Sequence, residues 1–150
     1  MFVFDQKRYT DALRLSREVL ALRGKTLADS HPAVAAALQT VGRCLDMLGD
    51  TAGGRQALEE SVTLRKRYLA PDNWLIASSE SALGEHFIKD REFRKSESLL
   101  LHADSVLAHT LGPGDPRTQV TVRRLVALYQ AWGEPERTEI YQSRLNPSNL

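Results

Sequence analysis

Leu27, Leu69 and Leu111 lie 42 residues apart, and each is expected to close a helical run ahead of a short polar loop that carries proline. At that offset the loops read LADSHPAV, LAPDNWLI and LGPGDPRT. The register continues through Val41, Leu83 and Leu125, then Gly42 and Gly84, then Leu45, Phe87 and Tyr129. A period between 20 and 50 residues is the mark of stacked supersecondary units, each unable to bury its apolar face alone. The chain reads as a repeat protein.

The units are helical. Val34, Leu38, Val41, Leu45 and Leu48 step by four, three, four and three, one stripe of an α-helix, and Val122, Leu125, Tyr129 and Trp132 form a similar stripe. Alternating β-branched stretches are absent. Pro32, Pro116 and Pro135 suit a first helical turn, where the amide has no intrahelical partner. His31, Asn73 and Asp115 fall at N-cap positions. Gly49 and Gly133 follow helices where a left-handed residue is needed, and Arg91 takes the same place with more strain. These signals predict seven helices, at about 6–27, 32–48, 51–69, 74–89, 92–110, 116–132 and 135–145. Leu83, Phe87, Leu125 and Tyr129 are expected between neighbouring helix pairs.

Composition narrows the function classes. Twenty basic residues stand against nineteen acidic ones, and both signs are spread along the chain, so no basic stripe offers itself to a phosphate backbone. Aromatic residues interleaved with basic ones, as single-stranded nucleic acid requires, are missing. No apolar run approaches the roughly 20 residues that span a bilayer, and MFVFDQKRYT is charged too early for a secretory signal. The single cysteine, Cys44, has no partner for an internal disulfide. The expectation is a soluble cytoplasmic protein that binds neither nucleic acid nor membrane.

The tract RYTDALRLSREVLALRGKTLADSHPAVAAALQTVGRCLDMLGD resembles tetratricopeptide repeats of the long, 42-residue kind found in kinesin light chains, whose units follow G-x-Y-x-x-A-x-x-L…A-L-x-x-R-x-x-x-L-G-x-x-H-P-x-V-A-x-x-L-N-N-L-A-x-L-Y. The resemblance runs from residue 7 to residue 145. It implies a right-handed α-solenoid of antiparallel helix pairs, one domain over 1–150 with about three and a half repeats. The last third, from PDNWLIASSESALGEHFIKDREFRKSESLLL onward, is similar to repeats attached to bacterial, eukaryotic-like serine/threonine kinases. That similarity implies a fragment of a larger protein. The first helix, with Tyr9 and Ala12, matches the second helix of a unit whose first helix is missing.

By the register of that resemblance, the first helix of each pair lines a concave face. The residues placed there are Ala36, Gln39, Arg43 and Met47; Ser78, Ser81, Glu85 and Lys89; and Val120, Arg123 and Gln130. The paired asparagines of kinesin light chains fall on Gln39–Thr40, Ser81–Ala82 and Arg123–Arg124, so an asparagine hold on a peptide backbone is not implied. Glu80 departs from the repeat, because Leu38 and Val122 are apolar at its offset. A carboxylate there needs a partner on a neighbouring helix, with Arg43 and Arg124 as possible donors, or else it presents an acidic point to a ligand.

Catalytic readings fail. His102 and His109 are seven apart on one helix, too far for one ion; His31 is a cap, and His86 shares its slot with Cys44 and Leu128. Cys44 has no triad-like neighbour. No phosphate-cradling loop and no kinase motif occurs. Glu59 and Glu60 lie beside Arg55 and Arg65 as a solvated face. Expected, then, is a non-catalytic scaffold without cofactor or metal that binds a peptide or protein segment. The alternatives are an accessory domain of a serine/threonine kinase and a sensor of peptides or small molecules.

Overall fold

In the computed structural model the described residues are 3–147, with side chains described from Asp5 onward. They form seven helices: α1 (Val3–Ala21), α2 (Pro32–Met47), α3 (Thr51–Tyr68), α4 (Trp74–Lys89), α5 (Phe93–Leu111), α6 (Pro116–Trp132) and α7 (Pro135–Gln142). First helices of the pairs begin at residues 32, 74 and 116, and second helices at 51, 93 and 135, so both series keep the 42-residue offset. The class is an all-α solenoid of paired antiparallel helices. Among the described residues the only β-type pairing is an isolated bridge between Arg23 and Leu27, and no helix is long and apolar enough to cross a membrane. The chain divides into two compact units, one ending at Ala70 and the other beginning at Pro71.

The capping residues perform the roles expected of them. His31 Nδ1 accepts from the Ala33 amide at 3.1 Å, Asn73 Oδ1 from the Leu75 amide at 2.9 Å, and Asp115 Oδ1 from the Arg117 amide at 2.9 Å. Each satisfies an amide that the first helical turn leaves unpaired. At the far ends of these helices the chain reverses through Gly49 (φ 96°), Arg91 (φ 57°) and Gly133 (φ 79°). Arg91 is the one L side chain among the three, and its guanidinium lies 4.9 Å from the centre of the Phe93 ring.

Two helix C-terminal ends differ from expectation, and α1 begins at Val3 where about residue 6 was expected. The first helix stops at Ala21 and does not reach Leu27. Gly24, at φ 77°, lets the chain fold back so that its amide donates to the Leu27 carbonyl at 2.8 Å. Arg23 then leaves the helix line, donating to Asp29 at 2.6 Å and to Glu60 on α3 at 2.5 Å. These two charge-assisted bonds hold the loop on the first unit. The seventh helix stops at Gln142 and not at 145, and the chain turns through residues 143–145.

The first unit buries Leu13 of α1, Val34, Leu38, Val41 and Cys44 of α2, and Ala57 and Leu64 of α3 in one cluster. The second unit gathers Leu100, Leu125, Leu128 and Tyr129, with Phe93, Trp132 and Tyr141 packed against them. Leu83 and Phe87 are buried as well.

Paired helices approach closely enough to exclude a side chain at two repeat positions. A Cβ on Gly42 would lie 2.5 Å from Leu58 Cγ and 2.9 Å from the Gly54 carbonyl oxygen; one on Gly84 would lie 2.7 Å from Leu100 Cγ. The carbonyl of Gly84 accepts from Ser96 Oγ at 2.8 Å across the same gap. In α2 the obstructing backbone oxygen cannot move without shifting α3. Gly42→Ala should therefore destabilise the protein by about 1–3 kcal/mol through overpacking, although alanine favours helix by roughly 1 kcal/mol. Gly114→Ala, where nothing lies within 4 Å, serves as the control. Urea denaturation compares the two, and a Gly42→Ala midpoint equal to wild type contradicts the close approach.

Candidate interaction surfaces

On α2, Arg43 and Met47 are exposed and Gln39 is half-buried. Gln39 turns toward α3, where its Oε1 accepts from Arg65 Nη1 at 2.8 Å. Arg65 is buried, which depresses its pKa. Arg43 lines a cleft of about 360 Å³ between α1 and α2 together with Asp5, Arg8, Tyr9, Thr40 and Cys44. Tyr9 and Cys44 supply its apolar body, and Arg8 and Arg43 its positive charge. Cys44 itself is buried, and burial pushes its thiol up from the ordinary range. It is therefore a thiol and not a nucleophilic thiolate at neutral pH.

On α4, Lys89 is exposed while Ser78 and Glu85 are half-buried. Ser81 departs from expectation: it is only 1% exposed, so it offers no binding surface. Its hydroxyl lies 2.7 Å from Thr121 Oγ1 and accepts from Arg124 Nη1 at 2.9 Å, while Arg124 Nε donates to Glu85 at 3.0 Å. Arg124, one of the possible donors expected for Glu80, ties α4 to α6 through Ser81 and Glu85. At its repeat offset stand Thr40 and Ala82, and an arginine in such a slot is the signal that marks it as a tie between helices. On α6, Arg123 and Gln130 are exposed. Gln130 borders an open cleft of about 570 Å³ with Tyr129, Glu134, Pro135 and Thr138.

Glu80 finds a partner on a neighbouring helix, as its burial demands: a histidine of α5. Its Oε2 lies 2.8 Å from His102 Nδ1, with the carboxylate side chain 5% exposed and the imidazole 55% exposed. His86 is buried with Nε2 3.0 Å from Asp90 Oδ2. Among the described residues no group of three His, Cys, Asp or Glu side chains is placed to hold a metal ion.

Residues 1–67 match the family model described as tetratricopeptide repeat. A comparison with curated proteins finds no match. Among solved structures, the chain is similar to the nearly identical TPR-like repeats assigned to a kinesin light chain of Podosopora anserina, at 22% identity and a TM-score of 0.76 over 93% of this chain and 67% of that one. A single-substitution form of that protein aligns at 22% identity and a TM-score of 0.68, over 92% of this chain and 67% of the other. BtubC (BKLC) from P. vanneervenii is 16% identical, with a TM-score of 0.76 over 95% of this chain and 59% of its own. The comparisons thus give the chain the fold of a tetratricopeptide-like array of helix pairs, similar to that of kinesin-light-chain-like repeats, with the tetratricopeptide family model matched over its first 67 residues.

The Ser81–Arg124–Glu85 network gives a direct contrast. Ser81→Ala strands a buried donor of Arg124 and should lower stability by about 1–3 kcal/mol. Arg123→Ser, one residue away on the exposed side, should change it by less than about 0.5 kcal/mol. Chemical denaturation measures both, and equal effects would contradict the assigned burial.

Proposed function

We propose that this protein is a non-catalytic scaffold that holds a peptide or protein segment, with the cleft between α1 and α2 as a principal seat. The observation that carries the proposal is that cleft of about 360 Å³, where Arg8, Arg43, Tyr9 and Thr40 converge beside an apolar wall. Concave sites with an apolar body and a few polar groups are where ligands are held in orientation. Two guanidiniums on its rim favour a segment with a carboxylate, and Asp5 tolerates a basic neighbour in the same segment. Arg123 and Gln130 on α6 and Lys89 on α4 supply further exposed contacts in the second unit. Its lone, buried cysteine suits a reducing compartment, so we place its action in the cytoplasm.

Fold alone does not fix a ligand, so the test is made on the surface. Arg43→Ser and Arg123→Ser, each used as bait beside wild type in a pull-down, should retain partners about two- to fivefold less per charge removed. The difference should shrink as salt rises, because exposed charges are already screened. Thermal midpoints should stay close to wild type. Recovery identical to wild type with Arg43→Ser at low salt would remove the α1–α2 cleft from the mechanism.

A further inference from the structure

Residues 143–147 carry a second kind of information, independent of the α1–α2 cleft. The second helices of the two earlier pairs run for 18 and 19 residues, but α7 runs for 8. Where a continued helix was expected, the chain turns and lays Arg144 and Asn146 against α5 and α6. Arg144 donates to Asp104 of α5 through both terminal nitrogens, at 2.7 and 2.8 Å. Gln119, in the first turn of α6, donates from Nε2 to the Arg144 carbonyl at 3.0 Å and accepts the Asn146 amide on Oε1 at 2.8 Å. Its second Nε2 hydrogen goes to the Pro113 carbonyl at 2.9 Å, which fixes the orientation of the amide.

Both receiving groups sit at repeat positions that are apolar in the earlier units. Asp104 corresponds to Val62, and Gln119 to Ala35 and Ala77. Both are buried, at 8% and 3% exposure. A buried carboxylate and a buried amide oxygen left without partners are costly. The forked pairing of a guanidinium with a carboxylate and the two-point grip on a backbone are specific in direction as well as charge. A lysine supplies a point charge and cannot reproduce the fork.

We propose that Asp104 and Gln119 form a recognition site for a short arginine-bearing segment, which the chain's own Arg144–Asn146 fills in cis and a partner's arginine-bearing segment fills in trans. Asp104 reads the guanidinium, and Gln119 grips the carbonyl of that arginine and the amide two residues on. Exchange keeps every buried polar group satisfied, so the site changes occupant without standing empty. The tethered segment competes at an effective concentration of about millimolar, which sets the threshold a partner must exceed.

The test uses the full chain and a fluorescein-labelled peptide of sequence YQSRLNPSNL as probe. The double substitution Arg144→Ala/Asn146→Pro removes the guanidinium and the gripped amide while leaving Asp104 and Gln119 in place. By anisotropy, this variant should bind the probe about tenfold or more tighter than wild type, whose site is occupied. Adding Asp104→Asn, or replacing the probe's arginine by lysine, should abolish the gain. No binding to the folded double variant at millimolar probe, or binding indifferent to Asp104→Asn, would overturn the proposal. Should the double variant fail to fold by circular dichroism, the wild-type protein answers the same question. Millimolar unlabelled probe should shift the Asn146 amide signal in a nitrogen–proton correlation spectrum and speed its hydrogen exchange, and an unchanged signal would overturn the exchange of occupants.

Discussion

The distance between the two helices of a pair is the constraint from which the other features of this protein follow. At Gly42 and Gly84 the helices come so near that no Cβ fits. This nearness brings Leu58 and Leu100, each essentially fully buried, onto the backbone of the facing helix. It also allows Ser96 to bond directly to the Gly84 carbonyl. Because a single pair leaves one apolar face uncovered, further helices must cover it. The buried rows Val34–Leu38–Val41 and Val122–Leu125–Tyr129 are that faced surface.

On this apolar frame, buried and half-buried polar residues are informative, and several of them pair between elements. Glu80 meets His102, Arg124 meets Glu85 and Ser81, Arg65 meets Gln39, and Asp104 meets Arg144. Removing one member of such a pair costs more than the pair contributes, because the other stays buried. The pairs thus select particular neighbours among many hydrophobic surfaces that would otherwise fit equally well.

Much of this was legible in the residues. Period, helix starts and the three capping side chains followed from Pro, Gly, His, Asn and Asp at a common offset, since these residues act on the adjoining backbone and need no distant partner. The ends of α1 and α7 were not legible for the opposite reason. Arg23 is held by Asp29 and Glu60, and Arg144 by Asp104, contacts that exist only after folding. Gly24 was the local sign that α1 ends early. Within the candidate interaction surface, Arg43, Lys89, Arg123 and Gln130 are exposed, in keeping with the register of the resemblance, while Ser81 is buried by Thr121 and Arg124. A register specifies a direction, and the size of what lies opposite decides whether that direction opens to water. The comparison across repeats that singled out Glu80 applies equally to Asp104, Gln119 and Arg124.

The third pair escapes the spacing rule that governs the first two. Where α2 and α4 carry Gly42 and Gly84, α6 carries Val126, and the residue matching Leu58 and Leu100 is Gln142, the exposed last residue of a short helix. With no leucine pressed against it, the backbone of α6 tolerates a branched side chain. Thr138, matching Gly54 and Ser96, turns its hydroxyl back to the carbonyl of Glu134, just before its own helix, at 2.9 Å. The α6–α7 pair is therefore released from the strictest steric demand of its architecture. Natural variation can accumulate there at little cost to folding, and new specificity has room to arise without disturbing the older pairs.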